Sequence, residues 1–355
     1  MPPPMPDLPV DDPRPARHHL LALPDDVGAE EVEVLALSRF TAAGWDRRVP
    51  QTAPRGRAAR EPLAGVGVLR LSRHSTMAGP YAVTPDAVRA LGLPDDTAAA
   101  FVVTSPRERG EPPYPGGDRE GLKRAFPDAM PIRDEERVLR WLVDAARRLG
   151  GAVRVADGGV VLIPDPGAAV DLTVFSDVWL EPATGLAVVQ RATPSARLAL
   201  DAVPWQGPSI TPQAPATGPD GAPLTRLGER ARRRVHDRSA DFDAAALAGP
   251  DELTGYGVEV DLGPDGLVVV EAGGDEVVPL VLRGLPWTAQ GVVTYRVRWE
   301  PADLEELERE HPSEAHRTAR ARAQGLVAAA AREVHAVVGG EVADAAEFLV
   351  DPADL

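Results

Sequence analysis

A proline-dense stretch at residues 202–224 is the feature that most limits how this chain of 355 residues can fold. Its prolines are Pro204, Pro208, Pro212, Pro215, Pro219 and Pro223. Proline lacks the backbone N–H that a helix interior or a central strand needs. The stretch therefore predicts a semi-stiff linker between two domains, at residues 17–201 and 225–355. Residues 1–16, rich in Met, Pro and Asp, are predicted to form a mobile tail.

Hydrophobic patterning in the first predicted domain indicates a mixture of strands and helices. The predicted strands are 32–37, 66–71, 99–104, 152–155, 160–163, 170–175 and 186–189. The clearest helix begins at Asp134, where acidic residues favour the positive helix N-terminus, and it ends before Gly150-Gly151. A short helix at 86–91 is predicted because a threonine and a proline precede it.

The second predicted domain contains a meander and a long helix. Its predicted helices are 226–237 and 313–337, and its predicted strands are 258–262, 267–271, 277–282, 292–299 and 348–350. A meander implies antiparallel pairing. The predicted fold class is therefore α+β, with two mixed, mostly antiparallel sheet domains that are each covered by a long helix. The alternative is a single continuous α/β domain.

The two halves of the sequence echo each other. In each half a long helix ends in Gly-Gly, and a strand then leads into Asp-Pro, at Asp165-Pro166 and at Asp351-Pro352. A second echo relates residues 178–186 to residues 260–267. The echoes differ in order and length, so the sequence leaves open both a duplication and a chance recurrence of Gly and Pro.

Composition argues against several classes of function. The absence of cysteine removes disulfides and thiolate metal sites. The net charge of −16 argues against binding to nucleic acid or to an anionic membrane surface. No apolar run approaches a transmembrane length of about 18 residues, and the first residues lack a signal-peptide pattern, which predicts a cytoplasmic protein. Arginine greatly outnumbers the single lysine, as expected of a GC-rich bacterial genome.

No cofactor and no metal site are predicted. The histidines lack the spacing and the accompanying glutamate of a helical zinc motif. Asp165, Asp171 and Asp177 recur every six residues, but each lies near a predicted strand end, where aspartate is typical of turns. The glycines at 116 and 121 resemble a phosphate loop only in spacing, because Leu122 stands where the motif requires lysine.

Two segments, 72–81 and 105–128, concentrate side chains that could bind or transform a small anion. His74 is the candidate general base, and Ser75 beside it is a candidate nucleophile. The candidate ligand-binding residues are Tyr81, Arg119 and Lys123. No third catalytic partner can be chosen from spacing. The hypothesis is therefore an enzyme or binder of a small anionic molecule, with its pocket between these two segments.

Arginine-rich surfaces support a different hypothesis. A basic cluster at 226–238 contains Arg230, Arg233 and Arg234 but no aromatic residue that could stack on a base. Arg296 and Arg298 project from one face of the strand predicted at 292–299. No nucleophile, metal or phosphate motif is intact, so the sequence favours a non-catalytic protein that contacts another protein. The oligomeric state is not predicted.

Overall fold

The computed structural model describes residues 5–9, 17–49, 65–156, 158–199, 255–275, 277–289 and 291–355. Its first seven strands are β1 His19–Leu23, β2 Gly44–Arg47, β3 Gly67–Arg70, β4 Thr76–Ala82, β5 Ala99–Thr104, β6 Ala152–Arg154 and β7 Val161–Leu162. The next seven are β8 Leu172–Ser176, β9 Arg197–Leu198, β10 Gly255–Asp261, β11 Leu267–Asp275, β12 Val292–Glu300, β13 Glu341–Asp344 and β14 Leu349–Val350. The α-helices are α1 Ala29–Arg39, α2 Pro85–Leu91, α3 Leu122–Ala125, α4 Arg133–Arg148, α5 Pro182–Ala192 and α6 Glu314–Val338.

These strands form two sheets of seven strands each. The order is β2-β3-β4-β5-β1-β6-β7 in the first sheet and β14-β13-β8-β12-β11-β10-β9 in the second. Among the described strands, every ladder within the two sheets is antiparallel. The predicted α+β class with two mostly antiparallel sheets is confirmed, and the parallel pairing of an α/β domain is not seen in them.

The two sheets are structural repeats of one another. Read from the opposite edge, the strand order of the second sheet is β9-β10-β11-β12-β8-β13-β14. Adding seven to each strand number of the first sheet gives the same order, so β1 corresponds to β8, β2 to β9, and so on to β7 and β14. The register matches as well. Leu21 lies opposite Phe101 and Val153 in the first sheet, as Val174 lies opposite Tyr295 and Val342 in the second. We call residues 19–162 the first repeat and residues 172–350 the second repeat.

The first sequence echo falls on equivalent elements, and the second does not. Gly150 and Gly339, which end the long helices, have φ angles of 64° and 66°, values at which glycine carries little strain. A Cβ on Gly151 or Gly340, the next residue in each repeat, would collide with a carbonyl oxygen of β1 or β8. The recurring Gly-Gly therefore has the same physical cause in both repeats. The second echo relates the start of α5 to the β10–β11 turn, which occupy different places.

Each sheet has its long helix on one face. In the first repeat α4 and α1 pack on the face that carries Leu21, Phe101 and Val103. In the second repeat α6 and α5 pack on the face that carries Val174 and Tyr295. Of the described helices, none has the length and apolarity that crossing a bilayer requires.

Part of the segment predicted as a mobile tail is paired with the first sheet. The Leu8 N–H donates to the Ala82 carbonyl at 2.8 Å, and the Ala82 N–H donates to the Pro6 carbonyl at 2.9 Å. Leu8 is buried against Leu20 and Tyr81 on the sheet face opposite α4. Residues 5–9 therefore depart from the prediction, because burial of Leu8 and two backbone hydrogen bonds hold them against β4.

The change from one sheet to the other falls earlier than the predicted linker. β8, α5 and β9 all precede residue 202, yet β8 and β9 pair in the second sheet with β12 and β10. The first sheet ends at β7 and the second begins at β8, joined by the 3₁₀ turn Pro166–Ala168. The proline-rich stretch 202–224 and the predicted helix 226–237 lie outside the described residues.

Several local predictions are wrong. Residues 32–37 lie in helix α1, because Val32, Leu35 and Ala36 are buried at helical spacing. Residues 186–189 lie in helix α5, which starts at Pro182. The strand predicted at 277–282 is replaced by the 3₁₀ turn Leu280–Leu282. Most of the predicted loop 72–81 is strand β4.

The two repeats share part of their cores. Phe348, in the turn between β13 and β14, is 1% exposed and packs with Trp141 and Phe40 in the core of the first repeat. The Arg39 guanidinium donates to the Ala346 carbonyl in the same turn at 2.6 Å. Arg124 makes a two-point ion pair with Glu310, with N···O distances of 3.0 and 2.5 Å. Apolar and ionic contacts therefore both join the repeats.

Candidate functional site

Buried charged and imidazole side chains gather at equivalent ends of the two repeats. In the described part of the chain they are His19, Glu135, Glu306, His316 and Arg320. Glu135 and His316 are each the third residue of a long helix, α4 and α6 respectively. Burial of such groups is costly unless they are hydrogen-bonded or paired. Because binding and active sites often contain groups of this kind, this end of each sheet is the candidate functional site.

In the first repeat, His19 and Glu135 form a buried network with Arg109. His19 and Glu135 are each 2% exposed, and His19 Nε2 lies 3.3 Å from Glu135 Oε1. The second oxygen, Oε2, accepts the Glu108 N–H at 2.8 Å and a close contact from the Arg109 guanidinium. The Glu135 carboxylate is thus balanced by one cation and held by three donors, which compensates its burial.

The network fixes the tautomer of His19. Its Nδ1 accepts the Ala156 N–H at 3.0 Å, so this nitrogen carries a lone pair rather than a proton. The proton is then on Nε2, where it points to Glu135. The contacts of its two ring nitrogens with Ala156 and Glu135 hold the imidazole in one orientation.

A cavity of about 360 Å³ opens beside this network. We call it the first-repeat pocket, and its lining residues are Arg17, His18, His19, Val103, Ser105, Arg107, Glu135 and Ala156. Arg17 and Arg107 contribute two guanidinium groups to the walls, and Glu135, the one carboxylate among the described lining residues, pairs with Arg109. Each guanidinium offers five N–H donors, which suit the oxygens of a phosphate or carboxylate group.

The wall that carries Arg107 belongs to the long connection between β5 and α4. The Gly110 N–H donates to the Met130 carbonyl at 2.8 Å, and the Ile132 N–H donates to the Glu108 carbonyl at 3.0 Å. The Arg109 guanidinium also lies 4.8 Å from the centroid of the Phe126 ring. These contacts tie both ends of the connection together and hold its start next to Glu135.

His74 and Ser75 do not form a catalytic pair. His74 is exposed at the β3–β4 turn, and its Nε2 lies 3.1 Å from the Arg73 side chain. Ser75 is fully buried, and its hydroxyl donates to Asp134 at 2.6 Å. Ser72 donates to the same carboxylate at 2.7 Å. The polar residues of this turn therefore anchor it to the start of α4.

The four residues predicted to share a pocket are separated in the structure. Tyr81 is buried on the sheet face opposite α4, near the far end of β4 from His74. Arg119 lies beside Glu120, which pairs with Arg147 at the C-terminal end of α4. Since α4 spans 16 residues, that end is roughly 20 Å from the end near His74. Lys123 lies in the short helix α3 and lines neither the first-repeat pocket nor the cavity beside Arg119.

Arg119 instead lines a small cavity, of about 90 Å³, between the repeats. Its guanidinium donates to the Ala168 carbonyl at 2.6 Å. Acids and arginines around this cavity occur in pairs, namely Asp165 with Arg320, Glu306 with Arg309 and Glu310 with Arg124. Because these arginines are paired with acids, the cavity is better suited to a junction between the repeats than to a site for an anion.

Of the two predicted interaction surfaces, the structure describes the one on β12 but not the arginine cluster at 226–238. Arg296 and Arg298 project outward from β12 as predicted, while Tyr295, Val297 and Trp299 are buried. Both arginines pair with acids of β11, Arg296 with Asp275 at 2.5 Å and Arg298 with Glu271 at 2.6 Å. The other three candidates, Arg230, Arg233 and Arg234, lie outside the described residues.

The sequence singles out the segment that contains Ser105 and Arg107, but not the other charged and polar residues of the first-repeat pocket. His18 and His19 are not selected, because strand β1 is not among the predicted strands. The apolar run that follows His19, residues 20–23, is short and continuous, which is typical of a fully buried strand. Glu135 could be found only as one of three acids at the start of α4. Neither signal reveals that the two side chains meet.

Comparisons with known proteins add no assignment. No family model matches the chain, and neither the curated proteins nor the solved structures gave a match. Within the described residues, no group of three or more His, Asp or Glu side chains is arranged to hold a metal ion.

Proposed function

We propose that this protein is a cytoplasmic, non-catalytic binder of a small anionic molecule, which it takes up in the first-repeat pocket. The observation that carries the proposal is the pair of guanidinium groups in the lining. Arg17 and Arg107 line a cavity of about 360 Å³, in which Glu135, the one carboxylate among the described lining residues, pairs with Arg109. A phosphate or carboxylate group is the chemistry that guanidinium groups bind best.

The buried network has a positioning role in this proposal. Glu135 holds Arg109 and orients the ring of His19, which lines the pocket. This network orders the wall before a ligand binds. A wall that is already ordered binds a ligand with a smaller entropic cost. No reaction is proposed, because the pocket residues suggest recognition and no bond-breaking step.

The ligand class agrees with the sequence-based alternative, but the pocket is elsewhere. Ser105 and Arg107 of the predicted segment 105–128 do line it, whereas no residue of the segment 72–81 does. The hypothesis of a protein partner remains a prediction. Its candidate surfaces on β12 are neutralised by β11, and its candidates in the arginine cluster lie outside the described residues.

Thermal unfolding of the full chain tests the proposal. Inorganic phosphate and succinate are titrated against sodium chloride at matched ionic strength. A ligand at about 100 times its dissociation constant stabilises the folded state by about 2.7 kcal/mol, so a saturable rise in Tm is expected. Arg107→Gln should abolish the rise. Arg140→Gln is the matched control, because Arg140 is exposed on α4 and pairs only with Glu136 among the described residues.

Two results would overturn the proposal. One is a rise in Tm no larger with phosphate and succinate than with sodium chloride. The other is a rise that survives in both Arg107→Gln and Arg17→Gln, since the ligand would then bind outside the first-repeat pocket.

A further inference from the structure

The second repeat has a cavity at the place that corresponds to the first-repeat pocket. The register makes Trp299 the counterpart of Ser105, because Val297 pairs with Leu172 as Val103 pairs with His19. His316 is the counterpart of Glu135 by its position in the long helix. Trp299 and His316 both line a cavity of about 340 Å³, which we call the second-repeat cavity.

The lining of this cavity has the opposite charge. Among its described lining residues are three carboxylates, those of Asp265, Asp303 and Glu306, and no lysine or arginine. Asp265 pairs with Arg322 and Glu306 pairs with Arg309. In the part of the chain that the structure describes, Asp303 has no cationic partner, and its carboxylate accepts only the Glu305 N–H at 3.0 Å.

His316 is largely buried, but its ring nitrogens are not among the fully buried side-chain atoms that lack a hydrogen bond in the described residues. It is 7% exposed, and its ring centroid lies 5.0 Å from that of Trp299 at an interplanar angle of 54°. Among the described residues, none forms a hydrogen bond with the imidazole nitrogens. Burial, aided by the positive charge of Arg320, lowers the pKa of His316, which leaves a neutral ring with a free acceptor nitrogen.

We propose that the second-repeat cavity binds a small organic ammonium ion. Its N–H groups would donate to Asp303 and to the acceptor nitrogen of His316, and its charge would lie against the indole of Trp299. An organic cation fits better than a metal ion, because no three ligating side chains converge in the described residues. This inference does not depend on the anion pocket, since the two cavities share none of their described lining residues.

Proton–carbon NMR of the histidine rings tests the inference in the full chain. The probes are ethylammonium chloride and tetramethylammonium chloride, with sodium chloride at the same ionic strength as the reference. Ethylammonium should shift the His316 ring signals in a saturable way, while those of His335, which is half-buried at the other end of the same helix, stay in place. Tetramethylammonium, which has no N–H donor, should bind more weakly.

Asp303→Asn should weaken ethylammonium binding about tenfold, because a charge-assisted hydrogen bond is lost. Both Asp303 and its matched control Asp86 are exposed, so neither substitution removes a core contact. Asp86→Asn should leave the affinity unchanged. The inference is overturned if sodium chloride produces the same His316 shift, or if Asp303→Asn binds ethylammonium as tightly as the unsubstituted chain.

Discussion

Replacement of Phe348 by alanine should destabilise the first repeat, although Phe348 belongs to a turn of the second. The side chain is 1% exposed and packs against the core around Trp141. Removal of its ring forfeits roughly 2–3 kcal/mol of hydrophobic transfer free energy. The cavity left behind raises the expected loss to about 3–5 kcal/mol. Such a loss is a large part of the free energy of unfolding of an ordinary domain.

Urea unfolding followed by circular dichroism measures this loss, with Leu349→Ala as the matched control. Leu349 is adjacent but 37% exposed, so its truncation should cost no more than about 1 kcal/mol. Hydrogen exchange then locates the effect. Amides of β1 and β5 should lose protection in Phe348→Ala, because their sheet loses a core contact. A midpoint shift no larger than that of Leu349→Ala would refute the shared core.

Three further predictions follow from the same contacts. Glu135→Gln should cost about 3–5 kcal/mol in urea unfolding, because it removes the buried carboxylate that pairs with Arg109 and His19; a loss below about 1 kcal/mol contradicts the network. Gly340→Ala should destabilise more than Gly339→Ala, since only at Gly340 does a Cβ meet a carbonyl oxygen, and equal losses by thermal unfolding would argue against the close approach. Burial raises the pKa of Asp134, but hydrogen bonds from Ser75 and Ser72 and the Arg137 guanidinium outweigh it, so the pKa lies below its usual range. The resulting stabilisation is present above the unfolded pKa of about 3.9 and is lost as the pH falls through the folded value. In urea titrations, the free energy of unfolding of Asp134→Asn should therefore fall less on acidification over that range than that of the unsubstituted chain. An equal fall in the two proteins would contradict a lowered pKa of Asp134.

Local patterns predicted much of the second repeat but less of the first. From Tyr295 onward strand β12 alternates between buried and more exposed residues, so these two faces follow from the sequence, whereas Thr294 is buried as well. The helix α4 carries acids at its start and arginines at its end, which fixed its position. By contrast, the sequence predicts a strand where α1 lies, because the apolar residues Val32, Val34 and Leu37 are compatible with the spacing of either a strand or a helix. Val34 is 63% exposed, so its apolar side chain does not mark the buried face.

Long-range relations could not be predicted from these patterns. The linker at 202–224 is predicted from composition alone, but β8 pairs with β12 across it. Pairing between strands so far apart in the chain produces no pattern in the local sequence. The Gly-Gly echo did point to the repeat, because close approach to a neighbouring strand selects glycine in both halves. The His19–Glu135 contact joins residues 116 positions apart, and its partners become visible only when β1 and α4 are packed together.

The most direct test of the central claim is anomalous diffraction from crystals of the full chain soaked in sodium selenate. Selenate is a tetrahedral dianion, and its selenium can be located without assumptions about the surrounding protein. The account predicts a peak in the first-repeat pocket, within hydrogen-bonding distance of Arg17 or Arg107. Peaks at exposed arginines such as Arg140, with none in the first-repeat pocket, would contradict the proposed function.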